Sequence, residues 1–187
     1  TGGGQPGDRG LLRLADDRTV AVSDAIKGDG PDEVIHVLAE GAAPPAPGTQ
    51  VTAEIDWARR HRHMRMHTAL HLLCAVVPGG VTGGQISDGK GRLDFDIQDT
   101  VLDKEAITAE LNQRIAADRP VTPRAIGDAE LQANPDLVRT MSVKPPSGTG
   151  EVRVIEIEGV DLQPCGGTEV RRTGEIRRVV VTKIENK

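Results

Sequence analysis

Two histidines four residues apart, His67 and His71, sit in the apolar run His67-Thr68-Ala69-Leu70-His71-Leu72-Leu73, and no other feature restricts this chain as much. Residues at i and i+4 lie one above the other on a helix face, so both imidazoles can reach a single metal ion. Met66, Leu70, Leu73 and Val77 recur at helical spacing with no proline before Pro78, which predicts a helix from about Asp56 to Val77. The Asp56 carboxylate can cap its free N–H groups. Spacing alone leaves two pairings open, because His63 stands four residues before His67. A tetrahedral zinc site also needs about two more ligands, or one and a water. The candidates lie far down the chain, in Cys165-Gly166-Gly167-Thr168-Glu169.

Composition narrows the function classes. One Trp, one Phe and no Tyr in 187 residues leave Val, Ile, Leu and Ala to fill the core. They also argue against a single-strand binder that stacks bases on rows of aromatics. A net charge of −5 argues against coating nucleic acid by bulk electrostatics, but leaves room for a local basic patch. Two widely separated cysteines suit a reducing compartment. With no long apolar run and no secretory pattern, the expectation is a soluble cytoplasmic protein without membrane contact.

Read in order, the chain opens on Thr1-Gly2-Gly3-Gly4-Gln5-Pro6-Gly7-Asp8-Arg9-Gly10, which reads as a loop. Short alternating segments follow at Leu11 to Leu14, Thr19 to Val22, Glu33 to Leu38 and Gln50 to Ile55, with Gly/Pro turns between them. They predict a small antiparallel β-barrel or sandwich over residues 1–56. Residues 57–187 read as an α+β domain. Its expected parts are the histidine helix, strands Val81 to Ile86 and Arg92 to Ile97, and a helix from Asp103 to Ala117 with Ile107, Leu111 and Ile115 on one face. Strands Val121 to Ile126 and Val152 to Ile157 follow, with a short helix Asp128 to Ala133 between them. A last strand, Glu175 to Ile184, is expected at the sheet's centre. Arg59, Arg60, Arg62 and Arg65 in the first half of the histidine helix read either as a solvated face or as contacts to RNA phosphates.

The wording of these motifs carries a family resemblance. His67-Thr68-Ala69-Leu70-His71, preceded by Asp56-Trp57 and Arg59-Arg60, joins Gly3-Gly4-Gln5-Pro6, Pro164-Cys165-Gly166-Gly167-Thr168 and Thr173-Gly174-Glu175-Ile176. Together they resemble the editing domain of alanyl-tRNA synthetase and, more closely, the freestanding alanyl-tRNA editing proteins of the AlaX family. The resemblance covers nearly the whole chain. It implies a small N-terminal barrel followed by an α+β editing domain; the family's strands before the glycine-rich loop are missing here, so the barrel is expected to lack its first strands. It implies hydrolysis of the ester of mischarged tRNA(Ala), chiefly Ser-tRNA(Ala) and also Gly-tRNA(Ala). It makes His67, His71 and Cys165 zinc ligands and leaves His63 out. The family's usual fourth ligand is a histidine where this chain has Glu169, whose carboxylate can also bind zinc.

The resemblance further makes Thr68 the threonine that recognises a serine hydroxyl and Gln85 a pocket-facing glutamine. Gly3, Gly4, Gln5, Gly166 and Gly167 are expected substrate contacts, since glycines let backbone N–H groups approach a ligand closely, and the four arginines are expected tRNA contacts from their clustering one to two turns before the metal pair. Two other readings stand beside it: a zinc-containing RNA- or partner-binding module without catalysis, and an editing domain for another tRNA, such as the threonyl type.

Overall fold

The computed structural model describes residues 3–30, 33–98, 100–134 and 150–185. The chain divides into two compact units, one of Pro6–Arg62 and one of Gly2–Gln5 with His63–Lys187. In the first, strands β1 (Gly10–Leu14), β2 (Thr19–Lys27), β3 (Val34–Leu38) and β4 (Val51–Ile55) form an antiparallel sheet in the order β3-β2-β1-β4. The expected barrel is not closed. Among the described residues β3 and β4 are outer strands that do not pair with each other, and Val34 on β3 is 59% exposed. Closing a sheet requires tilt and stagger accumulated over more strands than these four.

The histidine helix, α1, runs over Trp57–Val76, with Asp56 Oδ1 accepting the Arg59 amide at 3.0 Å as the predicted cap. Beyond it the hairpin β5 (Gly80–Ser87) and β6 (Lys90–Asp96) leads to α2 (Lys104–Ala116). The cap of α2 is Asp103, which accepts from the Ala106 amide at 2.9 Å. A second antiparallel sheet, β7 (Val121–Gly127), β8 (Glu151–Ile157) and β9 (Asp161–Pro164), has β8 in the middle, and the short helix α3 (Asp128–Ala133) follows β7. The second unit is therefore α+β with antiparallel sheets. Its core joins Ala69 and Leu72 of α1, Ile107, Leu111 and Ile115 of α2, and Ile155 and Ile157 of β8. Leu72, Ile155 and Ile157 are fully buried, each contributing about 1.5–3 kcal/mol of apolar burial. No helix among the described residues is long and apolar enough to cross a membrane.

The last strand is where expectation and structure part. Thr173–Ile176 is a 3-10 turn, and no strand follows it among the described residues. Val179 exchanges both backbone bonds with the Asn112 side chain, at 3.1 and 2.8 Å, and the Val181 amide donates to Thr108 Oγ1 at 3.0 Å. Two side chains of α2 thus take the place of a neighbouring strand, and β-branched composition alone cannot announce that. Thr173-Gly174 is likewise a tie to the end of α2: Thr173 Oγ1 accepts the Arg119 amide at 2.9 Å, and the Gly174 amide donates to Asp118 Oδ1 at 3.1 Å.

Just after the turn, Arg177 has φ 65° and ψ −146°. That region is nearly restricted to glycine, because a Cβ crowds the backbone there. Arg177→Gly is therefore expected to raise unfolding free energy by about 1 kcal/mol. A denaturant titration with an unchanged or lowered midpoint would show that the Arg177 side chain contributes more than its backbone costs.

Candidate metal and substrate site

The fold brings the far-apart motifs together. His67, His71, Cys165 and Glu169 offer ligand atoms that all lie within 4.8 Å of one another. His67 and His71 come from one face of α1, and their ring centroids are 4.9 Å apart. Cys165 and Glu169 come from the loop after β9. Cys165 Sγ lies 3.5 Å from His67 Nε2 and 3.3 Å from Glu169 Oε1, and the Gly167 amide points at the sulfur at 3.4 Å. His63, the competing partner by spacing, is buried on the same helix but outside this group.

Three ties hold the loop against the helix. The Gln5 side chain clamps Thr168, donating to its carbonyl at 2.8 Å and accepting from its amide and hydroxyl at 3.0 and 2.9 Å. Thr68 Oγ1 donates to Met64 O at 3.1 Å and accepts the Val170 amide at 3.2 Å. Arg153 on β8 donates to the Cys165 carbonyl and, through Nη2, reaches Glu169 Oε2 at 3.2 Å. Thr68 is fully buried, so Thr68→Val strands the Val170 amide and is expected to cost about 1–3 kcal/mol of stability, read as a lowered melting midpoint.

Beside the group opens a cavity of about 480 Å³, within the range of small-molecule sites. Leu70, Val81, Ile86 and Leu93 give it apolar wall, while Gly3, Gly4, Gln85, Arg153 and Gly166 bring polar or backbone atoms to it. Gly3, at φ +65°, presses on the metal group: a Cβ there would fall 2.9 Å from His67 Nε2. Of the expected substrate contacts, Gly3, Gly4, Gly166 and Gln85 border the cavity; Gln5, Gly167 and Thr68 do not.

The arginines of α1 are engaged within the protein. Arg59 donates to the Gly7 carbonyl at 2.7 Å, Arg60 makes a two-point pair with Asp8, and Arg65 donates twice to the Ile176 carbonyl, at 3.1 and 2.7 Å. Arg62 is the exposed member. Sequence reasoning missed Asp161, Gln163 and Arg153. Asp161 and Gln163 are buried and bonded to each other at 2.6 Å, with Asp161 Oδ2 3.4 Å from His71 Nδ1. The alternation of β9, Asp161-Leu162-Gln163, is the signal: two polar residues on one face of a strand, both buried.

The donor set fits a metal ion. Both ring nitrogens of His71 are buried without a hydrogen-bond partner; Nδ1 has an ion-pair contact to Asp161 Oδ2 at 3.4 Å, which leaves Nε2 as the nitrogen for a ligand. Burial opposes a charge on His71, yet the Asp161 carboxylate and the Cys165 sulfur outweigh it and hold its pKa at about 10. Burial likewise opposes the Cys165 thiolate, but the two histidines bring its pKa down to about 7. Without a metal the pocket thus favours a His71 imidazolium beside a Cys165 thiolate, and metal binding would displace the imidazolium proton.

The family described as the threonyl and alanyl tRNA synthetase second additional domain matches residues 152–187, which hold Arg153, Cys165 and Glu169. An alanyl-tRNA editing protein AlaX-M of Methanosarcina acetivorans is 34% identical across 99% of this chain and 79% of its own length. The chain belongs to the AlaX family of alanyl-tRNA editing proteins. The AlaX-M of Saccharolobus solfataricus is 31% identical over 100% of this chain and 79% of its own. A larger family relative, alanyl-tRNA editing protein Aarsd1-B of Xenopus laevis, is 34% identical over 98% of this chain and 43% of its own.

Proposed function

We propose that this AlaX-family chain is a trans-acting aminoacyl-tRNA hydrolase that removes the wrong amino acid from tRNA(Ala), chiefly serine and also glycine. The observation that carries the reading is the His67, His71, Cys165 and Glu169 group beside a mostly apolar cavity large enough for an aminoacylated adenosine. Zinc is the ion that best suits two imidazoles and a thiolate in tetrahedral geometry. When bound it would supply positive charge next to the ester carbonyl.

The chain's own residues do the rest. Leu70, Val81 and Leu93 exclude bulk water from around the ester, which strengthens every polar contact inside. Gln85 offers both a donor and an acceptor at the wall, and the side-chain-free backbone at Gly3, Gly4 and Gly166 lets the substrate come close. Gln5 and Gly167 act one step back, Gln5 by holding Thr168 and Gly167 by its amide on Cys165. Arg62 contacts the tRNA backbone, and Arg59, Arg60 and Arg65 keep donors for phosphate beyond those they spend on the protein. In the same reading residues 1–56 are the family's small β domain, 57–187 are the editing domain, and the protein works on cytoplasmic tRNA.

Specificity has a physical motive. A hydrophobic synthetase pocket rejects an added hydroxyl by only about a hundredfold, so a second sieve must recognise that hydroxyl. Thr68 is fully buried outside the cavity lining and spends its hydroxyl on Met64 O and the Val170 amide, so in this reading it acts on serine recognition by holding the loop that carries Cys165 and Glu169 and not by touching the seryl hydroxyl. The test compares Ser-tRNA(Ala), Ala-tRNA(Ala) and Ser-tRNA(Ser). Hydrolysis is expected to be fastest on the first, with Thr68→Val narrowing the gap to Ala-tRNA(Ala). Zinc and tRNA binding without ester cleavage would leave a non-catalytic binding module instead.

A further inference from the structure

Both histidines of the metal group present the same nitrogen to a carboxylate. His67 Nδ1 lies 3.2 Å from Glu169 Oε1 and 3.3 Å from the Thr168 carbonyl, while its Nε2 faces Cys165 Sγ at 3.5 Å. His71 Nδ1 lies 3.4 Å from Asp161 Oδ2, and Asp161 is outside the group of ligand atoms. Two acceptors around His67 Nδ1 require a proton there, which leaves the Nε2 lone pair for a metal. A carboxylate on the far nitrogen of a metal-bound histidine is the usual outer support, because it fixes tautomer and ring angle together.

Both oxygens of Glu169 are already engaged. Its side chain is 4% exposed, Oε1 faces the His67 ring, and Oε2 faces the Arg153 guanidinium at 3.2 Å. A carboxylate paired with a guanidinium is a weaker electron donor to a metal. Oε1 also lies 3.3 Å from Cys165 Sγ, and the Gly167 amide donates to that sulfur at 3.4 Å.

We propose that Glu169 is a positioning residue and not the fourth ligand: it orients His67 as Asp161 orients His71, so that His67, His71 and Cys165 form a three-ligand set with one position open to a small molecule. The inference rests on the metal reading above and deepens it. Three protein ligands and an open position are the pattern of catalytic zinc sites, whereas four closed ligands mark structural ones.

The experiment is metal affinity by competition with a chromophoric chelator, together with visible spectra of the Co²⁺-loaded protein with and without azide. Glu169→Gln keeps an oxygen within reach of His67 Nδ1, so it is expected to retain one metal per chain with affinity lowered by no more than about a hundredfold. Its Co²⁺ bands should stay at the parent's positions, and azide should shift the bands of the parent and the variant alike. A loss of affinity beyond about a hundredfold in Glu169→Gln, or displaced bands, would make Glu169 a ligand. The azide titration needs no variant: parent bands that ignore azide mean a closed four-ligand site and overturn the inference. A parent protein that takes up neither zinc nor cobalt overturns the metal reading itself, and this inference with it.

Discussion

Cys165→Ala is expected to abolish stoichiometric zinc and to slow hydrolysis of Ser-tRNA(Ala) on the order of a thousandfold, the scale of losing a preorganised electrostatic element. Cys165 contributes the one sulfur of the group, 3.5 Å from His67 Nε2, and its pKa of about 7 keeps thiolate available at neutral pH. With it gone, and with Glu169 in the positioning role proposed above, the two imidazoles are the donors left to the ion, too few to hold zinc against water. The loop should survive, because Gln5 and Thr68 fix it through Thr168 and Val170, not through Cys165. Circular dichroism and melting of the metal-free parent and variant should therefore agree, while metal analysis and deacylation separate them. A metal-free Cys165→Ala protein with parental hydrolysis would remove metal from the mechanism.

Gly3→Ala is expected to damage the metal group with a single methyl. The added Cβ would sit 2.6 Å from His67 Cε1 and 2.9 Å from Nε2, closer than real Cβ atoms come, at a φ of +65° that already disfavours alanine. The His67 ring is held on its other side by Glu169 and Thr168, so it cannot swing away without breaking those contacts. Either the ring tilts and metal affinity falls, or the Gly3-Gly4 turn lifts and the cavity loses a wall. Both routes predict at least about a hundredfold loss of activity, since catalytic contacts tolerate little more than a tenth of a nanometre of displacement. Zinc affinity separates the routes, and a variant with parental kinetics would show that the turn does not rest on His67 when substrate is bound.

What the sequence determined by itself is local. Helical spacing in Met66 to Val77 and the Asp56 cap were enough to place α1, because an apolar stripe and a cap act within a few turns. Period-two alternation in Arg92 to Ile97 placed β6, the short apolar segments Val121 to Ile126 and Val152 to Ile157 marked β7 and β8, and the apolar stripe of Ile107, Leu111 and Ile115 placed α2. Motif wording joined His67 and His71 to Cys165 and Glu169, although spacing alone left His63 in play.

What only the tertiary structure decided is which partner each polar group finds. Asp161, Gln163 and Arg153 carry no motif, and they matter because β8 and β9 bring them to the two histidines. Gln5 stands in the glycine-rich opening like a substrate contact, yet it satisfies the backbone and hydroxyl of Thr168 far along the chain. Arg60 and Arg65 look like phosphate contacts in one dimension and find Asp8 and the Ile176 carbonyl in three. Val179 to Thr182 has the composition of a central strand, but Asn112 and Thr108 reach its backbone from α2. The physical reason is common to all four cases. Periodicity reports which face of an element is apolar, whereas a hydrogen bond or ion pair depends on a distant group arriving within about 3 Å, and that distance exists only once the chain has folded.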